Sequence, residues 1–487
     1  MSTGDENTRL RVVIVGGGIT GLTLAQCLDH AGVDYILLEK HQDITANFGG
    51  SIGLQANGCR ILDQLGVYDR LLPWLNDSAF ISNGFPDGFI RVYDSAPYEK
   101  MLGYPFFIIR RTHLLRGLYE SLKDQSRVKV GTKVTSITRN PSLPNGPLSI
   151  VTERGSQYTA DIVVGADGIH GISRGEMSRL AEPQNHQINI QKPISAKPNQ
   201  THGQGPMAVE YMCILGISTA RDSISELIKR EGVYCASYKH VFWLIIPNGD
   251  GSVNWFTLIK LDKSYYYPHI PKWGPDEVKA RLEALADYTL VGTLTFRALW
   301  EITAPISCVP IYEGIIDTPT MGRIVCIGDS VFKMSPYLAQ AGNLCMESAA
   351  SLANNLRKLN HLKRLPTEAD IQSALSEATE RMMTRLRRVN ATSHRITRIM
   401  SLETWTGWVE NRYVMQLTAA PLHYVNMAVL SAGVILDYLP LPQRGKDAEG
   451  RVARRVAMWK YRALMVCGVV FGVAVGALVI SSFTLFS

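Results

Sequence analysis

The sequence is poor in the features that mark several common classes of protein. Its first ten residues hold no apolar run of the kind a secretory signal needs, so the main body is expected outside oxidising compartments. The eight cysteines, at 27, 59, 213, 235, 308, 326, 345 and 467, include no Cys-x-x-Cys pair. That spacing excludes zinc ribbons and thioredoxin-type motifs, and the cysteines read as reduced residues inside apolar segments. The eleven histidines supply no metal-ligand set, no Ser-His-Asp order and no Cys-His pairing, so neither a metal site nor a hydrolytic nucleophile is expected. Charged residues are 19% of the chain, and the formal charge of +7 is concentrated in 381–398 and 444–462. The remainder is net acidic, which argues against a nucleic-acid partner.

Charge is absent altogether from 463–487, whereas Arg444–Arg462 carries seven Lys or Arg against two acids. About 20 apolar residues cross a hydrocarbon layer about 30 Å thick, so a transmembrane helix is expected at 463–485. Basic residues on one flank predict a single-pass C-terminal anchor with the catalytic body in the cytosol, the endoplasmic reticulum being the expected membrane. A buried core helix is the alternative, but it would be apolar all round. Gly468, Gly472 and Gly476 have the spacing that lets membrane helices approach closely. A second uncharged stretch, Tyr413–Leu436, is interrupted by Pro421 and reads either as another span or as helices lying in the interface or covering the active site.

With 487 residues the chain has room for two or three structural units. Arg11-Val-Val-Ile-Val15 reads as a short β-branched strand, followed at once by Gly16-Gly-Gly-Ile-Thr-Gly21 and an apolar-periodic helix over Leu22–His30. In such a turn Gly16 permits the bend, Gly18 lets backbone approach a pyrophosphate, and Gly21 allows close helix packing. The helix N-terminus offers free N–H groups to the anion. A second strand, Asp34–Leu38, ends in Glu39, placed to accept hydrogen bonds from ribose hydroxyls. Two further strands run into acids: Asp161–Gly165 into Asp167-Gly168, and Gly322–Ile327 into Gly328-Asp329. Pro336 and Gly342-Asn343 then precede a helix from about Leu344 to Leu356. Asp329 reads as a polyol ligand; Asp167-Gly168 taken alone is an ordinary turn.

These three motifs in this order resemble the group A flavin-dependent monooxygenases. Arg111-Thr-His-Leu114, with Leu118 on the same helix face, is similar to that family's Arg-x-x-Leu-x-x-x-Leu segment. The resemblance runs from about residue 10 to 400. It is closest to fungal epoxidases of indole-diterpene and meroterpenoid pathways, through the Gly-Asp-Ser-x-x-Lys-Met-x-Pro pattern at 328–336. It implies an α/β fold with a Rossmann-like FAD-binding domain in two parts, 8–180 and 306–375. Between them a β-sheet substrate domain, 181–305, is inserted. A C-terminal helical, membrane-associated region at 376–445 follows. FAD contacts are implied for Gly16, Gly18, Gly21, Glu39, Gly53, Arg111, Asp167, Asp329 and Gly342, and a functional role for Tyr211. NAD(P)H and O2 are the implied co-substrates, with oxygen delivered through a C4a-hydroperoxyflavin. Two departures stand out. Ala339-Gln-Ala-Gly-Asn343 replaces a usual Gly-Gln-Gly-Gly-Asn loop, and Gly171 replaces the usual serine.

Residues 181–205, rich in Pro, Gln, Asn and Lys, read as a loop leaving the cofactor domain. Val241–Ile246 and Val253–Ile259 flank Asn248-Gly-Asp-Gly251, a hairpin signal, and Val209–Ser218 and Val233–Tyr238 supply further strands. Tyr211 either hydrogen-bonds near the flavin or fills core volume, and Arg174 either serves a phosphate of NADPH or caps the next helix. The expected activity is epoxidation of a prenyl double bond on a lipophilic substrate drawn from the membrane, with possible hand-over to a downstream cyclase. An aromatic hydroxylase, a prenyl reductase and a membrane-anchored scaffold flavoprotein are the alternatives.

Overall fold

The computed structural model describes residues 10–45, 50–140, 146–181, 205–415, 426–455 and 457. Arg11–Val15 is buried along nearly its whole length, as a strand covered on both faces must be. It pairs in parallel with Asp34–Leu38 on one side and Ile162–Gly165 on the other. Ile324–Cys326 and Val128–Lys129 extend the sheet in parallel, and Thr320–Met321 closes one edge antiparallel. The helices Ile19–Ala31 and Ala341–Asn360 pack together against this sheet.

A second sheet has eight strands. Gly205–Ser218, Gly232–Tyr238, Val241–Pro247, Val253–Tyr266 and Thr303–Ile315 form most of it, with the hairpin around Asn248 where the turn residues put it. Phe80–Gly84 and Ile90–Asp94, from much earlier in the chain, complete one edge through a parallel pairing of Phe80–Gly84 with Gly232–Ala236. The period of two in these strands sorts the side chains. Met212, Ile214, Trp243, Ile245 and Trp255 face the helix Pro275–Leu285. Tyr211, Cys213, Phe242 and Leu258 face the opposite way, toward Tyr337 and Met400.

The 33-residue helix Glu368–Met400 starts at a capping box between Thr367 and Asp370 and lies along both units. Behind it the chain returns as a strap. Met427, Leu430, Val434 and Leu436 are buried, and Arg60 donates to the Ser431 and Gly433 carbonyls at 2.9 and 3.0 Å. Tyr438 donates to the Cys27 carbonyl at 2.7 Å. The described part of the Tyr413–Leu436 stretch from 426 onward is therefore packed on protein.

The expected membrane anchor is corrected. Among the described residues no helix is long and apolar enough to cross a membrane, and the single-pass localisation drawn from such a helix is not supported. Hydropathy and run length alone produced that expectation, and 463–485 lies outside the described residues, as does most of the 181–205 segment. The seven described cysteines are all free, and all but Cys308 are buried.

Candidate active site

Four parallel strands end at the same edge of the first sheet, and each delivers one of the motifs: Val15 leads into Gly16, Leu38 into Glu39, Gly165 into Asp167, and Cys326 into Asp329. Ligands of open parallel sheets bind at this edge. Gly16 has φ +108°, and a Cβ there would lie 2.5 Å from the Ala166 carbonyl oxygen. A Cβ on Gly21 would lie 1.9 Å from the Gly16 carbonyl oxygen. Gly18, by contrast, faces open space, with only an Arg111 guanidinium nitrogen at 3.9 Å from its would-be Cβ. The helix it opens has no side-chain cap, so its first N–H groups remain for an anion.

Glu39 is buried at the end of its strand. One carboxylate oxygen accepts from the Gly17 N–H at 2.6 Å, and the other from the His41 N–H at 2.8 Å. Arg111 begins the helix Arg111–Glu120, and its N–H donates to the Gly50 carbonyl at 3.2 Å. Burial lowers the pKa of its guanidinium while Asp329 and then Glu39 oppose that, which puts the charge between the first and last motifs.

Asp329 pairs with Lys333 at 2.7 Å. Burial lowers the Lys333 pKa and Asp329 raises it by more, so the ammonium stays charged above its ordinary range. Asp167 turns inward. Its Oδ2 accepts from the Ser173 N–H and hydroxyl at 2.9 and 2.8 Å, while Ser330 bridges Asp167 and the Gly168 N–H. The middle motif thus fastens the Asp329 turn to the strand beside it. A Cβ on Gly171 would fall 2.0 Å from the Asp167 carboxyl carbon, so glycine there makes room for this arrangement. Arg174 donates to the Ile169 carbonyl of the same turn at 2.9 Å and lies over the ring of Tyr267, which follows the strand Val253–Tyr266 of the second sheet.

Gly53 lies in Ser51–Leu54, which pairs with Phe107–Arg110. Gly342 stands in the first turn of Ala341–Asn360, another helix without a side-chain cap. Asn343 joins the two, donating to the Gly53 and Ala339 carbonyls at 3.0 and 2.7 Å and accepting from the Gln55 N–H at 3.1 Å. Beneath it Gln340 donates to Gln55 at 2.8 Å and accepts from Asn57 at 3.0 Å, and Asn57 reaches the wholly buried Glu347 at 2.6 Å. Glu347 is paired with Arg385 of the long helix.

Eight of the ten predicted site residues therefore gather at one edge of the first sheet, and Gly53, on a separate three-stranded sheet, is tied to them through Asn343. Tyr211 stands apart on the second sheet, where its hydroxyl donates to Glu403. Sequence reasoning missed Lys333, Glu347, Arg385 and Glu403. Lys333 had a signal in its i+4 spacing from Asp329, and Glu347 in its place within an otherwise small and apolar helix run.

The fit to a dinucleotide is good. An open glycine at an uncapped helix start, a buried acid closing the second strand and a half-buried arginine between two carboxylates match the donors and acceptors such a ligand needs. Fold and site together define a FAD-binding protein of the dinucleotide-fold class. Residues 9–205 match the FAD binding domain family. The chain is 35% identical over 445 residues to the FAD-dependent monooxygenase aurC of Calcarisporium arbuscula, covering 90% of this chain and 87% of that one. It is 33% identical over 493 residues to the FAD-dependent monooxygenase atmM of Aspergillus flavus, covering 98% and 97%. Among solved structures, Klebsiella pneumoniae HpxO with FAD and uric acid is similar in fold, with TM-score 0.66 and 17% identity over 87% of this chain and 97% of that one. The chain belongs to the FAD-dependent monooxygenases. Its cofactor is FAD, with NAD(P)H and O2 as co-substrates.

Proposed function

We propose that this protein epoxidises a prenyl double bond, farnesyl or geranylgeranyl, of a lipophilic meroterpenoid or indole-diterpene intermediate in secondary metabolism. The supporting observation is the face of the second sheet turned toward the cofactor edge. Leu215, Leu244 and Phe256 leave it apolar and partly exposed, beside Cys213, Phe242 and Leu258 packed under Tyr337 and Met400, and Phe256 reaches across to Gly50 beside the Gly53 strand. A hydrocarbon chain suits such a face, since each buried CH2 contributes about 0.8 kcal/mol.

In this reading Gly16, Gly18 and the uncapped helix start hold the pyrophosphate, and Glu39 the ribose. Arg111, coupled to both Asp329 and Glu39, would contact the cofactor, Asp329 would take the ribityl hydroxyls, and Gly53 and Gly342 would leave room for the flavin ring. Asp167 keeps the Asp329 turn in place. Tyr211 is the polar group at the apolar face. Bound FAD supplies the redox chemistry, so that NAD(P)H, H+, O2 and alkene become NAD(P)+, water and epoxide. The residues bind the substrate, exclude water and hold the alkene near the ring; no acid or base of the chain is required to form the epoxide.

The test is to incubate the FAD-loaded protein with NADPH, 18O2 and a farnesylated phenolic acid or a geranylgeranyl indole, then to measure product mass. One labelled oxygen on the prenyl chain, converted to a diol by acid, is the expected result. Label on the aromatic ring would make the protein a hydroxylase instead, and a gain of two hydrogens without label a reductase.

A further inference from the structure

Tyr211 is 1% exposed, and two local irregularities bring its hydroxyl to Glu403. The strand Gly205–Ser218 changes register between Val209 and Tyr211 against both of its neighbours, a bulge that re-aims the side chain. After the long helix ends, Leu402 takes φ +48°, a left-handed conformation costly for a side chain with a Cβ, and this turns Glu403 back toward the sheet. A tyrosine that only filled volume would require neither.

Glu403 is in turn fixed by charge. Lys260, opposite Tyr211 in the ladder, pairs with its second oxygen, and Arg398 approaches its first at 3.8 Å. Arg398 also binds Glu210 and Glu313, each at 2.8 Å, and lies over the Tyr211 ring. Since the single phenolic proton is donated to this held carboxylate, Tyr211 as arranged offers no proton to a substrate. What it can do is hold position. Tyr337 packs against the same cluster, lies tilted against Phe242 with ring centroids 4.4 Å apart, and bonds Ser401, two residues before Glu403, at 2.9 Å. Tyr337 belongs to the turn Pro336–Leu338, whose next residue, Ala339, touches the Gly53 strand.

We propose that Glu403 is a positioning residue for the flavin: clamped by Lys260 and Arg398, it holds Tyr211, and through it Tyr337, so that the Pro336–Ala339 turn stands at a fixed distance from the sheet. This rests on the reading above that the flavin ring lies beside Gly53 and Gly342.

The experiment compares wild type, Tyr211→Phe, Glu403→Ala, Glu403→Gln and the Tyr211→Phe/Glu403→Ala double variant. Visible circular dichroism of the bound flavin and FAD affinity are measured beside thermal unfolding of the FAD-free proteins. Tyr211→Phe and Glu403→Ala should each alter the flavin band and weaken FAD about ten-fold, the value of one charge-assisted hydrogen bond. The double variant should be no worse than either single one, because both remove the same link. Glu403→Gln, which still accepts the phenolic proton, should keep most of the wild-type band. Unchanged flavin dichroism in Tyr211→Phe, which deletes one oxygen and leaves the core filled, overturns the proposal, as do losses that multiply in the double variant. If wild type itself takes up no FAD, the cofactor reading fails first, and the two failures are thereby distinguished.

Discussion

The methyl group of Ala339 occupies the space that a side chain on Gly53 would need: a Cβ on Gly53 would lie 2.6 Å from it and 2.8 Å from the Phe106 ring. Ala339 holds φ +51°, where glycine is the natural choice. The left-handed conformation costs an alanine about 1–2 kcal/mol, whereas glycine loses about 0.5–1 kcal/mol through backbone entropy. Ala339→Gly should therefore stabilise by between about 0 and about 1.5 kcal/mol. Gly53→Ala should cost about 1–3 kcal/mol by overpacking. The pair Gly53→Ala/Ala339→Gly should recover part of that loss, since one methyl yields to the other. Urea midpoints of the four proteins decide it, and strictly additive changes would show that the two residues do not compete for space.

In the proposed placement of FAD, Glu39 takes the ribose and Asp329 the ribityl hydroxyls. Removing either should weaken FAD by about ten-fold or more, because a hydrogen bond to a charged group contributes about 1.5–3 kcal/mol. Equilibrium dialysis of Glu39→Ala and Asp329→Ala checks this, and full flavin occupancy in both would undo the motif assignment. The Glu39 change carries an added structural effect, for its carboxylate also accepts from the Gly17 and His41 N–H groups.

The cofactor edge was legible in the sequence because each of its signals is local: a strand, then glycine or an acid, within a few residues. The substrate sheet was legible where alternation and the Asn248 turn coincide. Its far edge was not, since Phe80–Gly84 pairs with a strand about 150 residues on and nothing in either segment names the partner. The Tyr211–Glu403 bond spans 192 positions and depends on a bulge and on one left-handed leucine, neither of which has a composition signal. The terminal anchor illustrates the opposite failure. A charge-free run of sufficient length satisfies the rule for a spanning helix, yet no helix among the described residues meets it.

Burial sets the alkaline limit of stability. Tyr35, Tyr104, Tyr211 and Tyr337 are all raised above the ordinary phenol range, chiefly by burial, with Glu403 adding to it at Tyr211 and Asp63 at Tyr104. A raised folded pKa means that the stability is whole below the unfolded value, about 10, and is lost as pH climbs from there toward the folded value. The unfolding free energy should thus be flat with respect to these groups up to about pH 10 and fall above it. Absorbance at 295 nm followed with pH, beside far-UV dichroism, tests this: the buried phenols should ionise only as the fold is lost. Smooth ionisation of all tyrosines near pH 10 in a still-folded protein would contradict it.

Glu347 carries the strongest claim on stability. It is 0% exposed, its two oxygens pair with Arg385 Nε at 2.5 Å and Nη2 at 2.8 Å, and Asn57 and the Val434 N–H complete its shell at 2.6 and 3.0 Å. Four segments meet at this carboxylate: the helix beginning at Ala56, the helix carrying Gly342, the long helix and the returning strap. Breaking a buried pair by removing one partner leaves an uncompensated charge and costs about 3–5 kcal/mol. Arg385→Met should therefore destabilise by that amount, whereas Glu347→Gln/Arg385→Met, which removes both charges and keeps the volume, should restore most of it. The single change should also loosen the strap, since the Val429 carbonyl loses its Arg385 donor and the Val434 N–H is left on a buried carboxylate that has lost its Arg385 counter-charge. Limited proteolysis within 426–439 should then be faster in Arg385→Met than in the double variant. Equal protection in both would mean that the remaining bonds to the strap, from Arg60, Gln64, Asn354 and Tyr438, hold it without this pair.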